Sequence, residues 1–121
     1  MTPSQLKDNV LEALDDMKAQ DVVALDIAEV SSFADFMVIA TGTSDTHVKA
    51  IANAAATDLS QKGLKPISEE GADASEWVLI DFGDVVLHVM RQEVRDFYEL
   101  EKLWDTEVRK MLEQGRAAEN D

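Results

Sequence analysis

The sequence predicts an α/β (α+β) domain, a sheet flanked by helices, from three observations. Residues 76–91, EWVLIDFGDVVLHVMR, hold two apolar runs around Gly83 and Asp84, the pattern of a β-hairpin with a two-residue turn. Residues 36–40, FMVIA, are apolar without alternation, as in a central strand covered on both faces. Residues 3–19 and 45–62 carry apolar side chains at helical spacing.

Pairing across the hairpin sets Phe82 opposite Val85, Ile80 opposite Leu87, Val78 opposite Val89 and Glu76 opposite Arg91. Side chains alternate along a strand, so these pairs share one face, oily up to a terminal charge pair. The other face carries Trp77, Leu79, Asp81, Val86, His88 and Met90. The first face suits a core; the second mixes large apolar groups with an acid and an imidazole, and is expected to stay partly open. A register one residue different would exchange the two sets.

Taken in order, Thr2, Pro3, Ser4 and Gln5 resemble a capping box with proline at the first helical position. Leu6, Val10, Ala13, Leu14 and Met17 follow on one helical stripe. Residues 22–28 read as a strand with Val23, Leu25 and Ile27 on one face, and residues 29–35 as a turn. After the central strand, Thr41 to His47 feed a helix that buries Val48, Ile51, Ala52, Ala55 and Leu59, with Ser44 or Asp45 as its cap. Gly63 reads as its left-handed C-terminal stop. Residues 65–68 are expected to form a short strand parallel to the central one, and residues 69–76 an acidic loop. Residues 93–99, with Phe97 and Tyr98, read as a helical turn over a sheet edge. A last helix carries Leu100, Leu103, Trp104, Val108, Met111 and Leu112. One domain over residues 1–114 and a frayed tail over 115–121 are expected.

Composition narrows the function. No cysteine is present, so neither disulfide nor thiolate chemistry is available. The N-terminus lacks a basic-then-apolar leader, and no apolar run approaches the ~20 residues of a membrane span, so a soluble cytoplasmic protein is expected. A net charge of −14, from 25 acidic and 11 basic residues, opposes direct binding to a DNA or RNA backbone. It favours a protein partner with a basic or a neutral surface patch.

Motifs for chemistry are thin. His47 and His88 are the only histidines, too few for a zinc site without carboxylates. Asp81, Phe82 and Gly83 copy a kinase tripeptide in a chain far too short for a kinase, and no serine sits in a nucleophile elbow. Asp81 and Asp84 with the Gly42 to Ser44 turn leave one catalytic alternative, a degenerate nucleotidyltransferase-like nucleotide-binding protein using magnesium. Trp77 on the mixed face, rimmed by acids, has the make-up of an interface hot spot.

Three motifs, DFMVIATGTSDTHVKAIA, EWVLIDFGDVVLHVM and EVRDFYELEKLW, resemble those of the ribosomal silencing factor (Iojap-like) family, in the same order. The resemblance implies a mixed five-stranded sheet with nucleotidyltransferase-like topology, no catalysis and no cofactor. It implies binding of the large ribosomal subunit through large-subunit ribosomal protein fourteen, a block to subunit joining, and homodimers in isolation. Carried onto the matching positions, the expected partner-binding residues are Trp77, Asp81, His88, Arg91 and Tyr98. Glu76, with Glu69 and Glu70, is expected on the charged rim.

Overall fold

The computed structural model describes residues 1–71 and 76–98, with the side chain of Tyr98 outside that set. The expected last helix with Trp104, and the tail, lie outside the described residues.

Thr2 opens α1 (Pro3–Asp16) with the predicted capping box: its side chain accepts from the Gln5 N–H while the Gln5 side chain accepts from the Thr2 N–H. The helix stops short of Ala19. Lys18 takes a positive φ of 57°, and the Ala19 and Lys18 N–H groups return to the carbonyls of Leu14 and Asp15. This is a Schellman stop with lysine where glycine is usual. The chain turns at once into β1 (Gln20–Asp26), which carries a bulge between Gln20 and Val23.

The strand expected to be central, β2 (Phe36–Gly42), lies beside the middle strand and runs into α2 (Asp45–Gln61), whose N-cap Ser44 accepts from the His47 N–H. Gly42 is required here, since a Cβ would lie 2.7 Å from Val48 Cγ2 and 2.8 Å from the Val48 nitrogen. After α2, Gly63 at φ 91° closes the second Schellman stop, with the Leu64 N–H on Leu59 and the Gly63 N–H on Ser60.

The hairpin of β4 (Trp77–Asp81) and β5 (Val85–Arg91) has the expected register: Val78 faces Val89, Ile80 faces Leu87, and Phe82 donates to the Val85 carbonyl. Beside it, the expectation for residues 65–68 fails. The strand is β3 (Ser68–Glu70), antiparallel to β4 at the sheet edge, and the parallel partner of β2 is β5. The sheet order is β1-β2-β5-β4-β3, a mixed five-stranded sheet. Its α2 crossover still leads back to a parallel strand, but only after β3 and β4 have been laid outside it.

Helices α1 and α2 pack together on one face, burying Leu6, Val10, Leu14, Ile51 and Leu59 against Val38, Val78, Ile80 and Leu87. The opposite face is partly covered by residues 27–35, through Ile27, Val30 and Ala34, and by α3 (Gln92–Tyr98), through Val94. This helix packs on β5 and β2, the middle of the sheet rather than the expected edge. Arg95 explains why: its guanidinium is buried and donates to the Asp21 carbonyl and to Thr41 Oγ1.

Candidate functional site

The mixed face divides in two. Val86, His88 and Met90 on β5 are buried with Met37 and Ile39 of β2. Trp77, Leu79 and Asp81 on β4 are half-buried, and Trp77 and Leu79 line a shallow depression with Glu70 and Gly71. The open part of the sheet is therefore its β4 and β3 side. Gly71 shapes the rim: at φ 85° its α-carbon comes so close to the Trp77 carbonyl that a Cβ would overlap it.

Within this face Trp77 Nε1 donates to His88 Nδ1 at 2.9 Å, with the rings tilted by 44° and their centroids 5.8 Å apart. An indole N–H is only a donor, so His88 Nδ1 carries the lone pair and the neutral ring is protonated at Nε2. Burial of the ring lowers the His88 pKa from 6.5 to about 4. His88 is 6% exposed, so its ring is covered by the side chains around it.

The other expected site residues are placed as follows. The Asp81 carboxylate accepts from the Gly83 N–H at 2.8 Å, so it closes the hairpin turn and is only half-open to a partner. Arg91 pairs through its main chain with Glu76 as predicted, but its guanidinium goes to Glu93 and to Asp45 (3.1 Å) instead of the Glu76 carboxylate. Hydrogen bonding to Glu93, then to Asp45, raises its pKa above the ordinary value. Both acids lie at the start of helices beside the end of β5, closer to hand than the strand partner. Tyr98 ends α3, with its side chain outside the described residues. Of the acidic rim, Glu70 is paired with Leu79 and shares the mixed face, whereas Glu69 is paired with Ile80 and lies on the helix side. Glu76 is exposed and falls, by alternation, on the helix side too.

The magnesium-dependent alternative does not assemble. Asp81 is level with Val86 and Gly42 with Arg91, so the acids and the Gly42 turn sit at opposite ends of β5. At ~3.3 Å per residue that is roughly 17 Å. Among the described residues no group of three or more His, Asp or Glu is placed to hold a metal ion. No helix among them is long and apolar enough to cross a membrane.

Two structural residues escaped the sequence reading. Arg95 has no neighbour in sequence that marks it out from the other charges of residues 91–96. His47 bridges elements: Nδ1 accepts from the Thr43 N–H at 2.9 Å and Nε2 lies 2.9 Å from the Met17 carbonyl, tying α2 to the end of α1. Its position three residues past a serine cap gave no hint of that reach.

Fold and face define an α+β protein with a mixed five-stranded sheet whose β4 and β3 side is half-open. The family model described as "Ribosomal silencing factor during starvation" matches residues 1–121. The chain is 45% identical over 94 residues to the ribosomal silencing factor of Chromobacterium violaceum, covering 78% of this chain and 77% of that one. It is 44% identical over 92 residues to that of Bacillus subtilis (76% and 78%). A mouse protein named for mitochondrial assembly of the ribosomal large subunit is 35% identical over 102 residues, 80% of this chain and 44% of that one. A crystal structure of a protein from Chromobacterium violaceum superposes with a TM-score of 0.85 at 41% identity, covering 86% of this chain and 87% of that one. The chain belongs to the ribosomal silencing factor family, and its role is in ribosome-related regulation.

Proposed function

We propose that this chain is a steric silencing factor. It docks on the large ribosomal subunit through large-subunit ribosomal protein fourteen, and its bulk keeps the small subunit from joining, which represses translation in the cytoplasm. The observation that carries this reading is the family match along the whole chain. The half-open face of Trp77 and Leu79, edged by Glu70, is the surface we assign to the partner. A large aromatic group in a partly desolvated, acid-edged setting is what binding energy concentrates on. A net charge of −14 suits a basic ribosomal protein and opposes direct contact with nucleic acid. A wedge needs neither cofactor nor catalytic group. The same apolar surface would support homodimers in isolation, in competition with the ribosome.

Co-sedimentation with free large subunits, followed by a subunit-joining assay without nucleotide, tests the proposal. Trp77→Glu abolishes both binding and the block while the circular dichroism spectrum is kept. Binding and blocking at parental strength by this variant would remove the surface from consideration. The nucleotidyltransferase-like alternative drew on Asp81, Asp84 and the Gly42 to Ser44 turn, which the sheet holds apart, and calorimetry with magnesium and millimolar nucleotide reads it directly.

A further inference from the structure

We infer that His88 is a positioning residue for the docking surface: it holds the Trp77 indole in its binding orientation by accepting the indole N–H, and does not itself meet the partner. This rests on the proposal that the Trp77 face docks on the large subunit.

The geometry carries the inference. Across the hairpin the residue directly opposite His88 is Leu79, and the one opposite Trp77 is Met90. The Trp77 to His88 contact is therefore a diagonal one, reached only because both side chains are long. Trp77 is the first residue of β4. Its indole packs at the margin of the cluster formed by Ile39, Val86 and Met90 and stays half-buried. His88, by contrast, sits within the central strand β5, buried between Val86 and Met90 on the same face. A fixed acceptor thus meets a semi-exposed donor at 2.9 Å. The rings are tilted by 44° rather than stacked, so the N–H···N bond sets the indole's orientation more than ring overlap does. Ordering a large side chain before binding removes a cost otherwise charged at the interface. Only the ring protonated at Nε2 alone serves, since either other form puts a hydrogen against the indole N–H.

The experiment uses the full chain labelled with nitrogen-15. The sequence has two tryptophans, Trp77 and Trp104, so Trp77→Phe assigns the indole signals. In the parent, long-range nitrogen–proton spectra at neutral pH are expected to show His88 Nδ1 unprotonated and Nε2 protonated. A protonated Nδ1 overturns the inference with no variant needed. His88→Asn keeps an acceptor near the Nδ1 position, and His88→Leu fills the space without one. The Leu variant is expected to shift the Trp77 indole N–H signal, speed its exchange with water, and weaken binding to large subunits about three- to tenfold, the scale of ordering one large side chain. The Asn variant keeps the signal and binds within about twofold. Equal losses in both variants would make His88 a packing residue only, and a freed indole with parental binding would also overturn the inference. If Trp77→Glu binds as the parent does, the docking assignment itself falls; if it fails to bind while His88→Leu binds normally, only the positioning role falls.

Discussion

Arg95 Nη1 donates to Thr41 Oγ1 at 2.9 Å across 54 residues of sequence, in a site where Thr41 is 2% and Arg95 6% exposed. The same nitrogen donates to the Asp21 carbonyl at the bulge of β1, where Asp21 has a φ of 47°. One side chain thereby joins α3 to two strands. A buried guanidinium is tolerated only while its donors are used, and its removal leaves those acceptors unpaired.

Arg95→Met is therefore expected to destabilise the chain by about 2–4 kcal/mol, the cost of losing charge-assisted bonds and leaving the buried Thr41 hydroxyl without its donor. Lysine is a poor substitute, because an ammonium is more strongly hydrated than a guanidinium and costs more to bury. Urea unfolding followed by circular dichroism measures both variants. A midpoint unchanged in Arg95→Met would show that the guanidinium contributes nothing net to holding α3.

The His88 pKa gives a stability prediction with a definite sign. Its folded value of about 4 lies below the ordinary 6.5, so between these values the unfolded chain binds a proton that the folded chain refuses. Stability from this group is full above pH 6.5 and falls as pH drops toward 4. The loss approaches roughly 3 kcal/mol. Carboxylates titrate through part of the same range, so the contrast with His88→Asn is what isolates the imidazole. Unfolding at pH 7, 6 and 5 is expected to show the parent losing stability faster than the variant. Parallel curves would mean that the ring is solvated in the folded state.

The hairpin was legible because local signals agree: Gly83 at φ 99° turns the chain, and alternation fixes the faces on either side. The edge strand was not. Ser68, Glu69 and Glu70 are all exposed, so no apolar alternation marks them, and the pairing is made by main-chain bonds such as Ile67 N–H to the Asp81 carbonyl. The stop of α1 was missed because Lys18 takes the place where a glycine would have announced it. At the site, the half-open face followed from alternation, and with it the exposure of Trp77. The occupation of Asp81 by Gly83, and of Arg91 by Asp45 46 residues away, did not. Charge partners are chosen by three-dimensional proximity, which a one-dimensional pattern does not carry. The resemblance named Trp77 and His88 together, without separating the half-buried indole from the buried imidazole.

Gly42 and Gly63 offer a matched pair for the close approach of β2 to α2. An added Cβ at Gly42 meets the Val48 backbone nitrogen at 2.8 Å, and backbone at a helix start has little room to yield. At Gly63 the space is open within 4 Å, and only its φ of 91° resists a side chain. Gly42→Ala is expected to cost about 1–3 kcal/mol through overpacking. Gly63→Ala is expected to cost about 1 kcal/mol from backbone strain alone. Thermal unfolding of the two variants ranks them, and a Gly42→Ala protein as stable as the parent would show that the helix start shifts freely.

Electrostatic steering predicts a difference between two neighbouring acids. Glu70 shares the mixed face with Leu79 and Trp77, whereas Glu69 projects to the helix side, although both are exposed. If a basic partner approaches the Trp77 face, the field it meets comes first from Glu70, and a rim charge acts on the rate of encounter more than on the lifetime of the complex. At low salt Glu70→Gln is therefore expected to slow association with large subunits about two- to threefold, with dissociation nearly unchanged. Glu69→Gln is expected to have a smaller effect. The gap between them closes near ~1 M salt, where charges more than about 3 Å apart are screened. Stopped-flow association at several salt concentrations resolves the two rates. Equal slowing by both substitutions would assign the steering to the net charge of −14 as a whole. A larger effect of Glu69→Gln would turn the approach toward the helical face and against the surface assigned here.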